Sequence, residues 1–105
     1  MLKGSGMGTL TVRYWRDMPA MVLAKAGRRN KATAPLPERF EKAIDAAAMR
    51  GGRDSTDDYL AEWRDGEGVA CGDDLQAAAN AKAAELDAAY TNEKLKELIA
   101  NEGRE

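Results

Sequence analysis

Arg13, Trp15 and Arg16 lie close together near the start of the chain, and Arg28, Arg29 and Lys31 form a second basic group after Gly27. A guanidinium beside an indole can stack on flat ligands and grip carboxylates or phosphates through forked hydrogen bonds. These six side chains are therefore the candidate partner-binding set. The same composition also suits a solvated strand edge, where long basic side chains discourage edge pairing and cover an indole with their stems. Gly27-Arg28-Arg29 is too short for a phosphate loop, since neither Walker A nor G-x-G-x-x-G spacing is present.

Other reactive residue types are isolated. Cys71 precedes Gly72 and a predicted helix start, a position that favours thiolate, but Asp73 and Asp74 oppose it with negative charge. The chain has no histidine, which excludes a Cys–His nucleophile and removes the commonest zinc ligand. Asp57-Asp58 and Asp73-Asp74 lack EF-hand spacing and read as helix N-terminal charges. No nucleophile, base and oxyanion donor assemble in sequence, so the expectation is a chain that is not an enzyme on its own and needs no cofactor or metal.

The elements that must position these residues follow from periodicity. Residues 1 to 8, MLKGSGMG, read as a flexible lead. Thr9 to Arg16 alternates, with Leu10, Val12 and Tyr14 on one side and Thr11, Arg13 and Trp15 on the other, which predicts a half-buried strand with Trp15 facing outward. Asp17-Met18-Pro19 reads as a turn, and Ala20 to Ala26 as a strand returning antiparallel. Gly27 to Pro35 reads as an exposed loop.

A helix is predicted from Pro37 to Arg50, stopped by Gly51-Gly52, with Leu36, Phe40, Ala43, Ile44 and Ala47 along one stripe. Residues 54 to 72 admit two readings. Ser55 and Asp58 cap a short helix carrying Tyr59, Leu60 and Trp63, or Tyr59, Ala61 and Trp63 line a strand that turns at Asp65-Gly66 and returns over Val69 to Cys71; the hairpin is preferred. Asp73 with Gln76 resembles a capping box for a helix to Ala89, striped by Leu75, Ala79, Ala83, Leu86 and Tyr90. Thr91 starts a last helix docked by Leu95, Leu98 and Ile99, and residues 101 to 105 should fray. The fold class is α+β, a small antiparallel sheet with helices packed on one face in the order ββαββαα, as a single domain over residues 9 to 100.

Composition bounds the function. At 105 residues with six aromatics, the chain supports one shallow core. No apolar run approaches the roughly 18 residues of a membrane span, and a lone cysteine suits a reducing compartment, so a cytoplasmic protein without membrane contact is expected. Net charge is −2, yet residues 1 to 53 carry 11 Lys/Arg against 4 Asp/Glu and residues 54 to 105 carry 5 against 14. Such segregation steers an acidic partner to one face or pairs the two halves with each other. A pI near 5.2 and no RRM-like aromatic signature argue against nucleic acid.

TVRYWRDMPA at Thr11 to Ala20, GRR at Gly27 to Arg29, ERF and AIDAAAMR between Glu38 and Arg50, and DDYLAEW at Asp57 to Trp63 resemble the small bacterial "virulence factor" domain family. The resemblance spans roughly residues 9 to 100 and carries over no catalytic residue. In larger relatives a similar domain is fused to an iron-sulfur scaffold-like domain and HEAT-type repeats, which implies an adaptor role. Stand-alone versions occur near genes of folate and corrinoid one-carbon metabolism. The resemblance therefore implies a non-catalytic protein-interaction or accessory module. Its partner is expected to be a protein, with a one-carbon methyl-transfer or iron-sulfur enzyme as the specific alternative and a weak nucleic-acid or phosphate ligand as the second.

Overall fold

The computed structural model describes residues 8–27, 30–52, 56–72 and 74–105, so Arg28, Arg29, the expected cap Ser55, Asp73 and residues 1–7 of the expected flexible lead lie outside it. Strand β1 (Gly8–Trp15) pairs antiparallel with β2 (Met18–Ala26), and β2 with β3 (Asn30–Pro35). Val12 stands opposite Val22 and Val22 opposite Ala34, while Leu10, Ala24 and Ala32 form the next row. Directly opposed residues share a face, and along these rows Val12, Val22, Ala24 and Ala34 are buried. Helix α3 (Leu75–Ala89) packs on β2 and β3, burying Leu75, Ala79 and Leu86. The alanines at 24, 32 and 34 let that helix approach a flat surface.

Helix α1 (Glu38–Arg50) buries Phe40, Ala43, Ile44, Ala47 and Ala48, the stripe expected from its spacing, and ends at Gly51 and at Gly52, whose φ is +72°. It packs on β2 and on α4 (Asn92–Ala100), where Leu95 and Leu98 are buried. Thr91 caps α4 by accepting from the Lys94 amide, as expected. Asp74 caps α3 by accepting from the Ala77 amide. The class and general order stand as α+β with an antiparallel sheet.

Four local expectations are corrected. The segment read as a loop after Gly27 is strand β3, because Ala32 and Ala34 pack inward while Lys31 and Thr33 point outward, a period-2 pattern hidden by loop-like residue types. Gly27, at φ +68°, turns β2 into it. The first turn is tighter than expected, with Arg16 at φ +55° and Met18 already in β2; Pro19 is tolerated there because the register shifts beside it, between Arg13 and Tyr14.

Residues 56 to 71 combine both readings in succession. Helix α2 (Thr56–Ala61) carries Tyr59, and β4 (Trp63–Asp65) and β5 (Val69–Cys71) follow. These two strands do not form a hairpin: both pair antiparallel with β1, β4 along Arg13–Trp15 and β5 along Gly8–Leu10. They make one interrupted edge strand, kinked where Gly66 and Gly68 press on Tyr14 and Thr9 so closely that a Cβ would meet side-chain atoms at 3.0 and 2.7 Å.

The C-terminal residues, expected to fray, are docked. The Asp17 amide donates to the Gly103 carbonyl at 2.8 Å, the Glu105 amide donates to Asp17 Oδ2 at 2.8 Å, and Gly103 is buried against the Trp15 ring.

Candidate functional site

Of the six predicted partner-binding residues, the four described ones, Arg13, Trp15, Arg16 and Lys31, do not form one surface. Arg13 stands on the sheet face opposite the α3 side and pairs through Nε with Asp65 at 2.8 Å, both groups about half exposed. That hydrogen bond, ahead of the charges of Arg13 and Lys25, holds the Asp65 carboxyl below its usual range against the opposing effect of burial, and it raises Arg13 in turn. Lys31 is exposed on β3 directly opposite Lys25. Arg28 and Arg29 fall outside the described residues.

Trp15 and Arg16, expected on the surface, are interior. Trp15 has the outward parity of Arg13, but that end of the face is roofed: its Nε1 donates to the Tyr59 carbonyl at 2.9 Å and its ring stacks on Tyr59 at 5.8 Å. Arg16 is 5% exposed. Its Nε donates to Glu62 Oε1 at 3.0 Å, its Nη1 to the Glu102 carbonyl at 2.7 Å, and its guanidinium lies 5.1 Å from the Trp15 ring. Arginine and indole are thus joined as anticipated, but as a clasp on the C-terminal turn. The charge segregation is also spent partly inside the fold, since Arg13–Asp65, Arg16–Glu62 and Arg39–Asp87 each join the basic half to the acidic half.

What sequence reasoning missed lies beyond Trp15. Tyr59 meets Trp63 edge-on at 5.7 Å, so Trp15, Tyr59 and Trp63 form a continuous aromatic series from the core to the surface. Tyr59 and Trp63 are half-buried and wall a cleft of about 290 Å³ with Met21, Pro35, Ile44 and Glu41. On the other side of Tyr59 a shallower cleft of about 400 Å³ is lined by Asp45, Ala48 and Met49. Glu41 and Asp45 are exposed, one helical turn apart on α1 beside the buried Phe40–Ile44 stripe. Burial first, and then the Asp45 and Glu41 carboxylates, push the Tyr59 phenol up from its ordinary value. The available signal was the i, i+4 acidic pair flanking a core stripe. It was obscured because Tyr59 and Trp63 sit in different elements.

This arrangement supplies apolar and aromatic contact area with two carboxylates, which is the chemistry of recognition. Among the described residues no group of three or more His, Cys, Asp or Glu side chains is placed to hold a metal. Cys71 is a free, half-buried thiol paired in register with Gly8. No helix of the described residues is long and apolar enough to cross a membrane.

A family profile described as virulence factor matches residues 13–99. The chain belongs to the virulence factor family. No curated protein and no solved structure matches it significantly. Within this virulence factor domain the matched span contains Arg13, the Trp15–Tyr59–Trp63 series and both clefts, and it ends before the C-terminal turn that covers Trp15.

Proposed function

We propose that this virulence factor domain is a non-catalytic interaction module that docks a partner protein through the clefts around Tyr59 and Trp63. The observation that carries this reading is large apolar surface held on a rigid base. Met49, on the rim of one cleft, is 69% exposed, and Leu60, next to Tyr59 on α2, is 59% exposed, while Tyr59 itself is stacked on the buried Trp15. Tyrosine and tryptophan anchored this way are the residue types that dominate interface energetics, and exposed apolar clusters mark interaction surfaces.

The test is affinity purification of the tagged protein beside two variants. Met49→Glu with Leu60→Glu alters side chains too exposed to hold the fold, and Arg13→Glu with Lys25→Glu and Lys31→Glu reverses the uncovered sheet face. A stoichiometric partner lost only in the first variant supports the groove; loss only in the second returns docking to the basic sheet face. A wild-type protein that captures nothing overturns the reading. Capture of a methyl-transfer or iron-sulfur enzyme would make the module an accessory subunit of that enzyme.

A further inference from the structure

Four of the six aromatic rings in this chain already carry a cation: Arg16 lies over Trp15, Arg39 over Phe40, Arg64 over Tyr14 and Lys94 over Tyr90, at 4.5 to 5.5 Å. The two rings without one, among the described residues, are Tyr59 and Trp63, the pair that walls the groove. Glu41 lines the cleft walled by both rings, and Asp45 lines the second cleft beside Tyr59. Like charges at i, i+4 on a helix repel, and among the described residues neither has a cation within ion-pair distance, whereas Glu38 on the same helix is paired with Lys42. Each cleft thus combines one carboxylate with a wall of Tyr59, and the first adds an apolar floor of Met21, Pro35 and Ile44. An aromatic face beside a carboxylate over apolar surface suits a basic side chain with an aliphatic stem.

We propose that the groove receives two basic side chains, at alternate positions of an extended segment of the partner protein, one beside Glu41 and one beside Asp45. The spacing supports alternate positions. Residues at i and i+4 on a helix stand roughly 6 Å apart at Cβ, and same-side residues of an extended segment repeat at about 6.7 Å. Arginine fits best, because its planar guanidinium stacks on a ring while donating forked bonds to a carboxylate. The inference rests on the docking reading above and names the chemistry of its partner.

The test titrates the ¹⁵N-labelled full chain with a capped Ala-Arg-Ala-Arg-Ala peptide, and in parallel with the same peptide carrying citrulline, which keeps the shape of arginine without its charge. The expected result is saturable shifts at the Trp63 indole and around Tyr59 with the arginine peptide. Affinity should fall at least tenfold with citrulline, and equally in a Glu41→Gln, Asp45→Asn variant whose unchanged Trp15 indole signal reports an intact fold. Equal binding of both peptides, shifts centred elsewhere, or none at millimolar peptide would overturn the proposal. If the peptide fails while a captured protein is still lost with Met49→Glu and Leu60→Glu, the groove docks a partner of other chemistry and only this inference falls.

Discussion

The indole Nε1 of Trp15 donates a 2.9 Å hydrogen bond to the carbonyl oxygen of Tyr59, 44 positions along the chain. This bond ties the end of β1 to α2 and fixes the ring that separates the two surface clefts. Core and candidate site therefore share one support. Trp15→Phe keeps an apolar ring but leaves the Tyr59 carbonyl with only the 3.3 Å bond from the Glu62 amide and opens a void, which should cost about 2 kcal/mol. Trp15→Ala should cost about 3 to 5 kcal/mol, and Trp63→Ala, at a half-buried site, about 1 kcal/mol. Urea unfolding midpoints of the three variants give the ranking.

The C-terminal turn is the lid on Trp15. Removing residues 102–105 deletes the Glu102 carbonyl that Arg16 grips and the Gly103 carbonyl that Asp17 grips. A loss of roughly 2 to 4 kcal/mol is expected from those bonds and the uncovered indole. Acrylamide should then quench Trp15 more strongly in a Trp63→Phe background. A frayed tail would leave both readouts unchanged. Gly103→Ala should cost about 2 kcal/mol, because φ is +89° and the new Cβ would stand 2.8 Å from Trp15 Cζ3.

Arg16 combines a buried charge with a left-handed backbone. Arg16→Ala removes the donor from Glu62 and from the Glu102 carbonyl and keeps the strain at φ +55°, a change expected to cost about 3 kcal/mol. Arg16→Gly loses the same contacts but relieves the backbone, and should be less damaging by about 1 kcal/mol. Thermal unfolding of the two variants measures the difference. The reverse order would mean that the conformation carries no strain.

Burial raises the phenols of Tyr59 and Tyr90 above the ordinary value of 10.0. A raised folded-state value means the native state holds the neutral phenol. This stability is therefore fully present below about pH 10 and is lost as pH rises through the folded values. Absorbance titration should show these two phenols ionising later than free tyrosine. Glu41→Gln with Asp45→Asn should move Tyr59 back toward 10.0 and leave Tyr90 alone, because the charges that raise Tyr90 are those of Tyr14, Glu105 and Asp17.

Much of the secondary structure is legible in residue spacing. The Phe40–Ile44–Ala47 stripe and the Leu75–Ala79–Leu86 stripe are buried where a 3.6-residue period puts them, and Thr91 caps α4 as its residue type suggests. The β3 strand was harder to read, because its inward residues are alanines and its outward ones are polar, so hydrophobic contrast is low. The interrupted edge strand was illegible for a different reason. An Asp-Gly dipeptide supports a turn equally well in a hairpin and in a kinked strand, and pairing of both β4 and β5 with β1 is a long-range choice.

Residue spacing alone shows which side chains share a face: period 2 places Arg13 and Trp15 together, and that parity holds. Which part of that face is covered depends on long-range packing. Arg13 remains half exposed because its cross-strand neighbour is the small, charged Asp65, whereas Trp15 lies beneath Tyr59 and against Gly103. Those covers arrive from far along the chain, by 44 positions for Tyr59 and 86 for the Glu102 carbonyl bound to neighbouring Arg16. Local periodicity carries no information about contacts at that separation. They form because a large indole next to a tight turn gains more from burial than a solvated strand edge can offer.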